Sequence, residues 1–204
     1  MRVLVLGATG RVGTEVAGRA SEAGHEVTAF VRDPVRLKVS TAHIAVGDIA
    51  RPDSLVAALG GGIDAVVNAV SADPLKPSTI VTDTARAIVA AMRAGGVRRY
   101  VAISGTAQMP KTAFGALSVA ILRRTPVGNA IRDHQGAFAV VTASDLDWTL
   151  AGCPWIKDGP PRGYREHATF TGGMKFIAPG DVGAFLVSVL DQPSYWHRIV
   201  GVWP

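Results

Sequence analysis

The residues Gly7-Ala8-Thr9-Gly10-Arg11-Val12-Gly13 follow the apolar run Val3-Leu4-Val5-Leu6 and open a helical pattern in which Val12, Val16, Ala20 and Ala23 share one face. Glycines there keep Cβ atoms out of the turn, so the backbone can take unusual φ/ψ and bring its N–H groups close to an anion. The anion then meets a helix N-terminus, where unpaired N–H groups and the helix dipole favour negative charge by about 0.3–2 kcal/mol. The chemistry predicted is the holding of a dinucleotide pyrophosphate, with Gly7, Thr9, Gly10, Arg11, Val12 and Gly13 at the cofactor. The spacing is G-x-x-G-x-x-G, not the more usual G-x-G-x-x-G, but strand, turn and helix come in the required order. A tight turn without a ligand is the competing reading, since 23 glycines make chance spacings easy.

The second chemical signal is a charge. Dinucleotide folds that prefer NAD place Asp or Glu about 20 residues beyond the glycines, to bind the ribose hydroxyls. Arg32 occupies that place. A guanidinium grips a 2′-phosphate through charge-assisted bonds, and Arg11 is expected to approach the same phosphate from the other side. NADP is therefore the expected cofactor. The neighbouring Asp33 is a complication, although Asp33-Pro34 reads more naturally as the start of a turn.

These residues need a frame, and the apolar pattern supplies one. Residues 3–6, 26–31, 43–46, 65–69, 100–104 and 148–151 read as short apolar strands. Between them lie helical patterns, among them residues 54–59, 79–93 and 129–143. Such alternation predicts βαβ units: an α/β fold with a single Rossmann-like, doubly wound parallel sheet and helices on both faces. The expected organisation is one NAD(P)-binding domain over residues 1–204. Two segments, at about 105–126 and 152–173, break the alternation and would stand at the carboxyl edge of the sheet, where open α/β sheets bind ligands. They are the expected substrate walls, with ordinary covering loops as the competing reading.

Composition narrows the classes. Hydrophobic content of 48% with 18% charged residues excludes a disordered chain. No apolar run reaches membrane-spanning length, and the first strand begins so soon after Met1 that no signal peptide is expected; the expected location is the cytoplasm. A lone cysteine, Cys153, permits no internal disulfide. The 21 Lys and Arg residues give a net charge of +5 but are scattered, with short pairs at Arg98-Arg99 and Arg123-Arg124. A small polyanionic ligand accounts for them as well as nucleic acid would, so neither nucleic acid nor membrane is an expected partner. The protein is expected to be a monomer or weak homodimer acting on a small planar molecule. No histidine spacing suggests a metal site.

In the order of its motifs the chain resembles atypical short-chain dehydrogenase/reductases of the NAD(P)H-binding, NmrA-like type: G-A-T-G-R-V-G, Phe30-Val31-Arg32-Asp33-Pro34, Gly47-Asp48-Ile49 and Val101-Ala102-Ile103-Ser104. Further on, Arg132-Asp133-His134, Asp147-Trp148-Thr149, Cys153-Pro154-Trp155-Ile156-Lys157-Asp158 and Pro179-Gly180-Asp181-Val182-Gly183-Ala184-Phe185-Leu186 are similar to biliverdin-IXβ reductase/flavin reductase proteins. The resemblance implies NADPH-dependent hydride transfer to a flavin or a related conjugated acceptor such as a linear tetrapyrrole. It also implies that Asp48 and Ile49 lie beside the adenine and Ala69-Val70-Ser71 along the cofactor backbone, and it sets Cys153 and Pro154 with the cofactor.

Departures from the pattern shape the chemistry expected. None of Tyr100, Tyr164 and Tyr195 has a lysine four positions later, so the Tyr-x-x-x-Lys acid pair of ordinary alcohol dehydrogenation is missing. Where the resembling reductases carry a histidine, in a Pro-His-Ile segment, this chain has Trp155. Two readings stand for Trp155: a plate stacked on a planar ring, or a core tryptophan under a loop. Without a strong acid, the expected work of the protein is positioning. Ser104, ending the fifth strand, is the first catalytic candidate and also a cofactor contact; His134 is the second, with a structural histidine as its competing reading. Thr106, Met109 and Phe114 join Trp155 as expected acceptor contacts. A regulator that binds NAD(P) without turnover is the alternative function; a nucleotide-sugar epimerase fits less well because a large C-terminal substrate region is lacking.

Overall fold

The computed structural model describes residues 1–71 and 73–204. In chain order its elements are β1 Arg2–Leu6, α1 Arg11–Glu22, β2 Glu26–Val31, β3 His43–Val46, α2 Pro52–Leu59, β4 Ala65–Asn68, α3 Ile80–Gly95, β5 Arg99–Gly105, α4 Ala113–Leu122, α5 Gly128–Thr142, β6 Asp147–Cys153, β7 Trp155–Ile156, β8 Arg165–His167, β9 Phe176–Ile177, α6 Pro179–Ser188 and β10 Arg198–Trp203. Eight strands form one sheet in the order β3-β2-β1-β4-β5-β6-β10-β8. β8 runs antiparallel to β10 and the other neighbours are parallel. β7 and β9 pair separately, as a two-residue parallel ladder.

The doubly wound expectation holds, and its switch point lies between β1 and β4. The chain winds outward from β1 through β2 to β3, then crosses back to continue from β4 on the other side. The crevice above that reversal is where such sheets take ligands. In-register pairs Leu6↔Phe30 and Leu6↔Asn68 bring the carboxyl ends of β1, β2 and β4 to one level.

β1 is apolar throughout because both its faces are covered. Alternation sends Val3 and Val5 into one core with Val16, Ala20, Phe185 and Leu186 of α1 and α6. It sends Leu4 and Leu6 into the other, with Leu55, Ile88, Met92 and Val141 of α2, α3 and α5. The six strands expected from the sequence are present, with small shifts at their ends. Strands β7 to β10 lie outside that expectation. β7 and β9 are too short to show any period, and Gly201 interrupts the apolar run of β10 because the Trp203 ring folds over it. Likewise the expected wall at residues 105–126 contains a full helix, α4. No helix of the described residues is long and apolar enough to cross a membrane.

One charged side chain belongs to this frame. Arg99, half of one of the short basic pairs, is buried at the start of β5. Its guanidinium donates to the carbonyls of Leu190 at 2.9 Å, Val189 at 2.6 Å and Asp147 at 2.6 Å. Burial lowers its pKa to about 10, so it keeps its charge at neutral pH. It thus caps the C-terminal end of α6 and ties it to the start of β6. Replacement by methionine leaves three carbonyls without their donor. Arg99→Met is expected to lose about 2–4 kcal/mol of stability, read from the urea midpoint, with the native spectrum retained at low denaturant.

Candidate active site

The glycine turn is built around missing atoms. Gly7 has φ +77°, a left-handed conformation, and a Cβ there would lie 2.9 Å from the Ala69 carbonyl carbon. A Cβ at Gly13 would overlap the Gly7 carbonyl, so the third glycine lets α1 close onto the end of β1. Gly10 is the N-cap of α1, extended at φ −83° and ψ 169°, with no side-chain cap on the helix. Its own N–H donates to the Gly7 carbonyl at 2.9 Å. The first N–H groups of α1 therefore have no side-chain cap, and Gly10 at the helix N-cap lines the crevice.

That crevice is a cavity of about 740 Å³. Its lining brings together Gly7, Thr9, Gly10, Arg32, Asp48, Ile49, Ala69, Val70 and Ser71, all expected from the sequence. Asn68 fixes Val70. It is buried, its amide donates to the Tyr100 hydroxyl at 2.9 Å, and its carbonyl oxygen accepts from Val70 N–H at 3.0 Å. Arg32 is exposed at the cavity, while Asp33 is turned into a local cap: its carboxylate accepts from Val35 N–H at 3.1 Å, opening the short 3₁₀ turn Pro34–Arg36. Val12 and Gly13 are absent from the lining, since the Val12 side chain packs into the core. The reading of the sequence missed one wall of the cavity. Ser78 and Thr79, just before α3, and Asp83, Thr84 and Ala87 within it also line the cavity. The small residues Thr84 and Ala87, three apart on one helix face, are the signal that could have shown it.

A second, smaller space of about 230 Å³ adjoins the first, and Ser71 lines both. Ser104, Thr106, His134, Cys153, Pro154 and Trp155 line this slot. Cys153 and Pro154 thus face the slot and not the larger cavity. So does Arg11, which donates to Asp158 at 3.0 Å and to the Ile156 carbonyl at 3.3 Å, and which does not line the cavity at Arg32. The pincer expected of Arg11 and Arg32 on one phosphate is not formed. Two expected acceptor contacts are also placed elsewhere. Met109 is 1% exposed, filling the space that Gly152 and Gly201 leave open, and Phe114 is 63% exposed, its ring edge against Gly172. The two wall segments are tied to each other, Phe170 N–H donating to Pro110 at 2.8 Å and Thr112 N–H to Phe170 at 3.2 Å.

The polar groups of the slot are weak acids. Ser104 is 5% exposed at the end of β5. His134 is half-buried, and its Nδ1, shielded from solvent, has no hydrogen-bond partner among the described residues. Burial lowers its pKa against the opposing pull of Asp133, so the imidazole is neutral at pH 7. Asp133 itself is occupied: its carboxylate accepts from the N–H groups of Val81 at 3.1 Å and Thr82 at 2.8 Å, capping α3 from α5. Burial also pushes the Cys153 thiol up to about 12, which leaves it protonated and a poor nucleophile.

These residues fit a dinucleotide: a cradle that a Cβ would fill, a helix whose N-cap lines it, and a cavity of the size that cofactors occupy. Gly10→Val tests the cradle. The backbone there suits valine and a Cβ meets only the Gly7 carbonyl, at 3.2 Å. The expected outcome is a folded protein whose NADPH affinity, measured by titration, falls by about a hundredfold or more, the effect of about 3 kcal/mol of lost anion contacts.

Known proteins place this geometry. The chain is 41% identical over 207 residues to a (4-alkanoyl-5-oxo-2,5-dihydrofuran-3-yl)methyl phosphate reductase of Streptomyces griseus, across 98% of this chain and 67% of that one. It is 33% identical over 207 residues to an NAD(P)H azoreductase of Xenophilus azovorans, across 96% of this chain and 65% of that protein. Its fold matches that of ChuY, an anaerobillin reductase from Escherichia coli O157:H7, with a TM-score of 0.80 at 15% identity over 100% of this chain and 97% of that one. The chain spans 35% to 68% of the length of the curated relatives it matches. Residues 7–193 match the model of one family, described as NAD(P)H-binding, and to that family the chain belongs.

Proposed function

We propose that the protein is an NADPH-dependent reductase that delivers hydride to a flavin or a related conjugated acceptor. The observation that carries this reading is the junction at Ser71, which lines both the dinucleotide-sized cavity and the apolar slot. A planar molecule in the slot lies beside one end of whatever fills the cavity. Reduced nicotinamide, when bound, supplies the hydride. Trp155 offers the acceptor a flat face, a contact of about 0.5–1.5 kcal/mol beyond burial. Ser104 orients the reacting groups or passes on a solvent proton, and His134 stays neutral behind it. The two relatives above are named as reductases, and their names describe conjugated acceptors, an azo group in one and an unsaturated lactone ketone in the other.

NADP is the reading for the cofactor because Arg32 stands exposed at the cavity while the adjacent acid is engaged as a turn cap. A charge-assisted bond from Arg32 to the 2′-phosphate contributes about 1.5–3 kcal/mol. Arg32→Ala is therefore expected to weaken NADPH about ten- to a hundredfold while NADH changes little, in parallel titrations. Equal losses for both remove the phosphate assignment.

Turnover is tested by following NADPH oxidation with and without FMN, riboflavin or a linear tetrapyrrole. Trp155→Ala is expected to raise the acceptor KM or lower kcat with NADPH affinity kept, and Ser104→Ala to cause a smaller, partial loss because solvent still supplies the proton. Tight NADPH binding with no acceptor-dependent turnover sinks the reductase reading and favours a regulator that senses the cofactor.

A further inference from the structure

The slot has a sign. Among its described lining residues there are two side chains charged at neutral pH, Arg11 and Lys175, and no carboxylate. Arg11 is already paired with Asp158. Lys175 has no ion-pair partner among the described residues. Its ammonium instead lies 5.9 Å from the centre of the Trp203 ring. That ring packs in one cluster with Val119 and Phe170, which themselves line the slot.

Lys175 is also held in register with the aromatic plate. The Trp155 N–H donates to the Lys175 carbonyl at 3.2 Å, and Trp155 stands opposite Phe176 in the β7–β9 ladder. Trp155 and Lys175 thus belong to one two-stranded unit and both line the slot, so a molecule that fills it meets an aromatic ring and, elsewhere in its wall, an ammonium with no ion-pair partner among the described residues. A lone ammonium beside an apolar surface binds an anion more strongly than it would in open water, because less solvent screens the pair.

We propose that the acceptor bears an anionic group, a phosphate or carboxylate, and that Lys175 recognises it. The choice of acceptor rests on the reductase reading, whereas the recognition itself is a binding property of the slot. Lys175 acts as a specificity residue and takes no part in hydride transfer.

FMN and riboflavin, which differ by one phosphate, are the probes. Each is measured for turnover with NADPH and, separately, for binding to the NADP-loaded protein by quenching of flavin fluorescence. Wild-type protein is expected to prefer FMN about tenfold or more, with the preference shrinking as ionic strength rises. Lys175→Met is expected to bring the FMN-to-riboflavin ratio close to one, and Lys175→Arg to retain most of it. Should the methionine variant fail to fold, Lys175→Gln provides the same comparison. Equal wild-type binding of the two flavins at low salt overturns the proposal, as does a folded neutral variant that keeps the full preference. A preference in binding without turnover overturns the reductase reading and supports the proposal; turnover without a preference does the reverse.

Discussion

No side chain fits between the Gly7 carbonyl and Gly13, and that close approach sets where everything else at the site can be. Because α1 closes directly onto the end of β1, its N-cap Gly10 is held at the crevice beside the switch between β1 and β4, where the two halves of the sheet diverge. Gly7 adds a second close approach, to the Ala69–Val70 backbone at the end of β4. At the glycine turn the crevice is therefore walled by main chain, which loses no side-chain entropy when an anion arrives. Larger residues at these positions would lift the helix from the sheet and move its N-terminus away from the level that the Leu6↔Asn68 register defines.

The buried polar residues extend this placement outward. Asn68 holds Val70 by its own carbonyl oxygen and is in turn held by Tyr100, whose hydroxyl is pushed up to about 12 by burial and so stays protonated. Asp133 caps α3 from α5 and in doing so fixes the turn of helix that carries His134. Asp181, in the first turn of α6, accepts from Arg162 and Gly163 N–H groups, each at 3.0 Å, and pins the loop that follows β7. Each is a polar group whose burial would be costly if unpaired; Asp133 and Asp181 are paired to backbone from another part of the chain, and Asn68 to the Tyr100 hydroxyl of β5 and to the Val70 N–H beside it. The rigidity of the site comes from these cross-element bonds as much as from the apolar cores.

How much of this the sequence discloses depends on how local each cause is. β1, the glycine turn and α1 are legible because strand, turn and helix signals are consecutive in sequence, and the run Val3-Leu4-Val5-Leu6 announces burial on both faces. Asp33-Pro34 reads correctly as a turn for the same reason. The roles of Arg99 and Asp133 are illegible, since their partners lie 90 and 51 residues away in the chain. Met109 and Phe114 show the same limit from the other side. Both sit in an apolar segment after β5, yet Met109 fills a gap left by two distant glycines and Phe114 turns outward, a distinction that only packing makes. Arg11 is the sharpest case: its place in the glycine motif suggests a phosphate contact, and its reach carries it to Asp158 in the opposite wall instead.

That reach matters for how the two spaces relate. Gly10 lines the larger cavity and Arg11, the next residue, lines the slot, so the N-terminus of α1 is the partition between them. The Arg11 contacts to Ile156 and Asp158 then brace the partition against the β7 strand that carries Trp155. At 57% and 75% exposure the ion pair is a weak contributor to stability, about 0–1 kcal/mol, and salt screens it. Its geometric effect is of another kind, for it links the start of α1, beside the glycine turn, to the segment that carries Trp155. In a site whose hydroxyl, imidazole and thiol are all poor acids, a chemistry governed by approach distance would depend on how those two segments are held together.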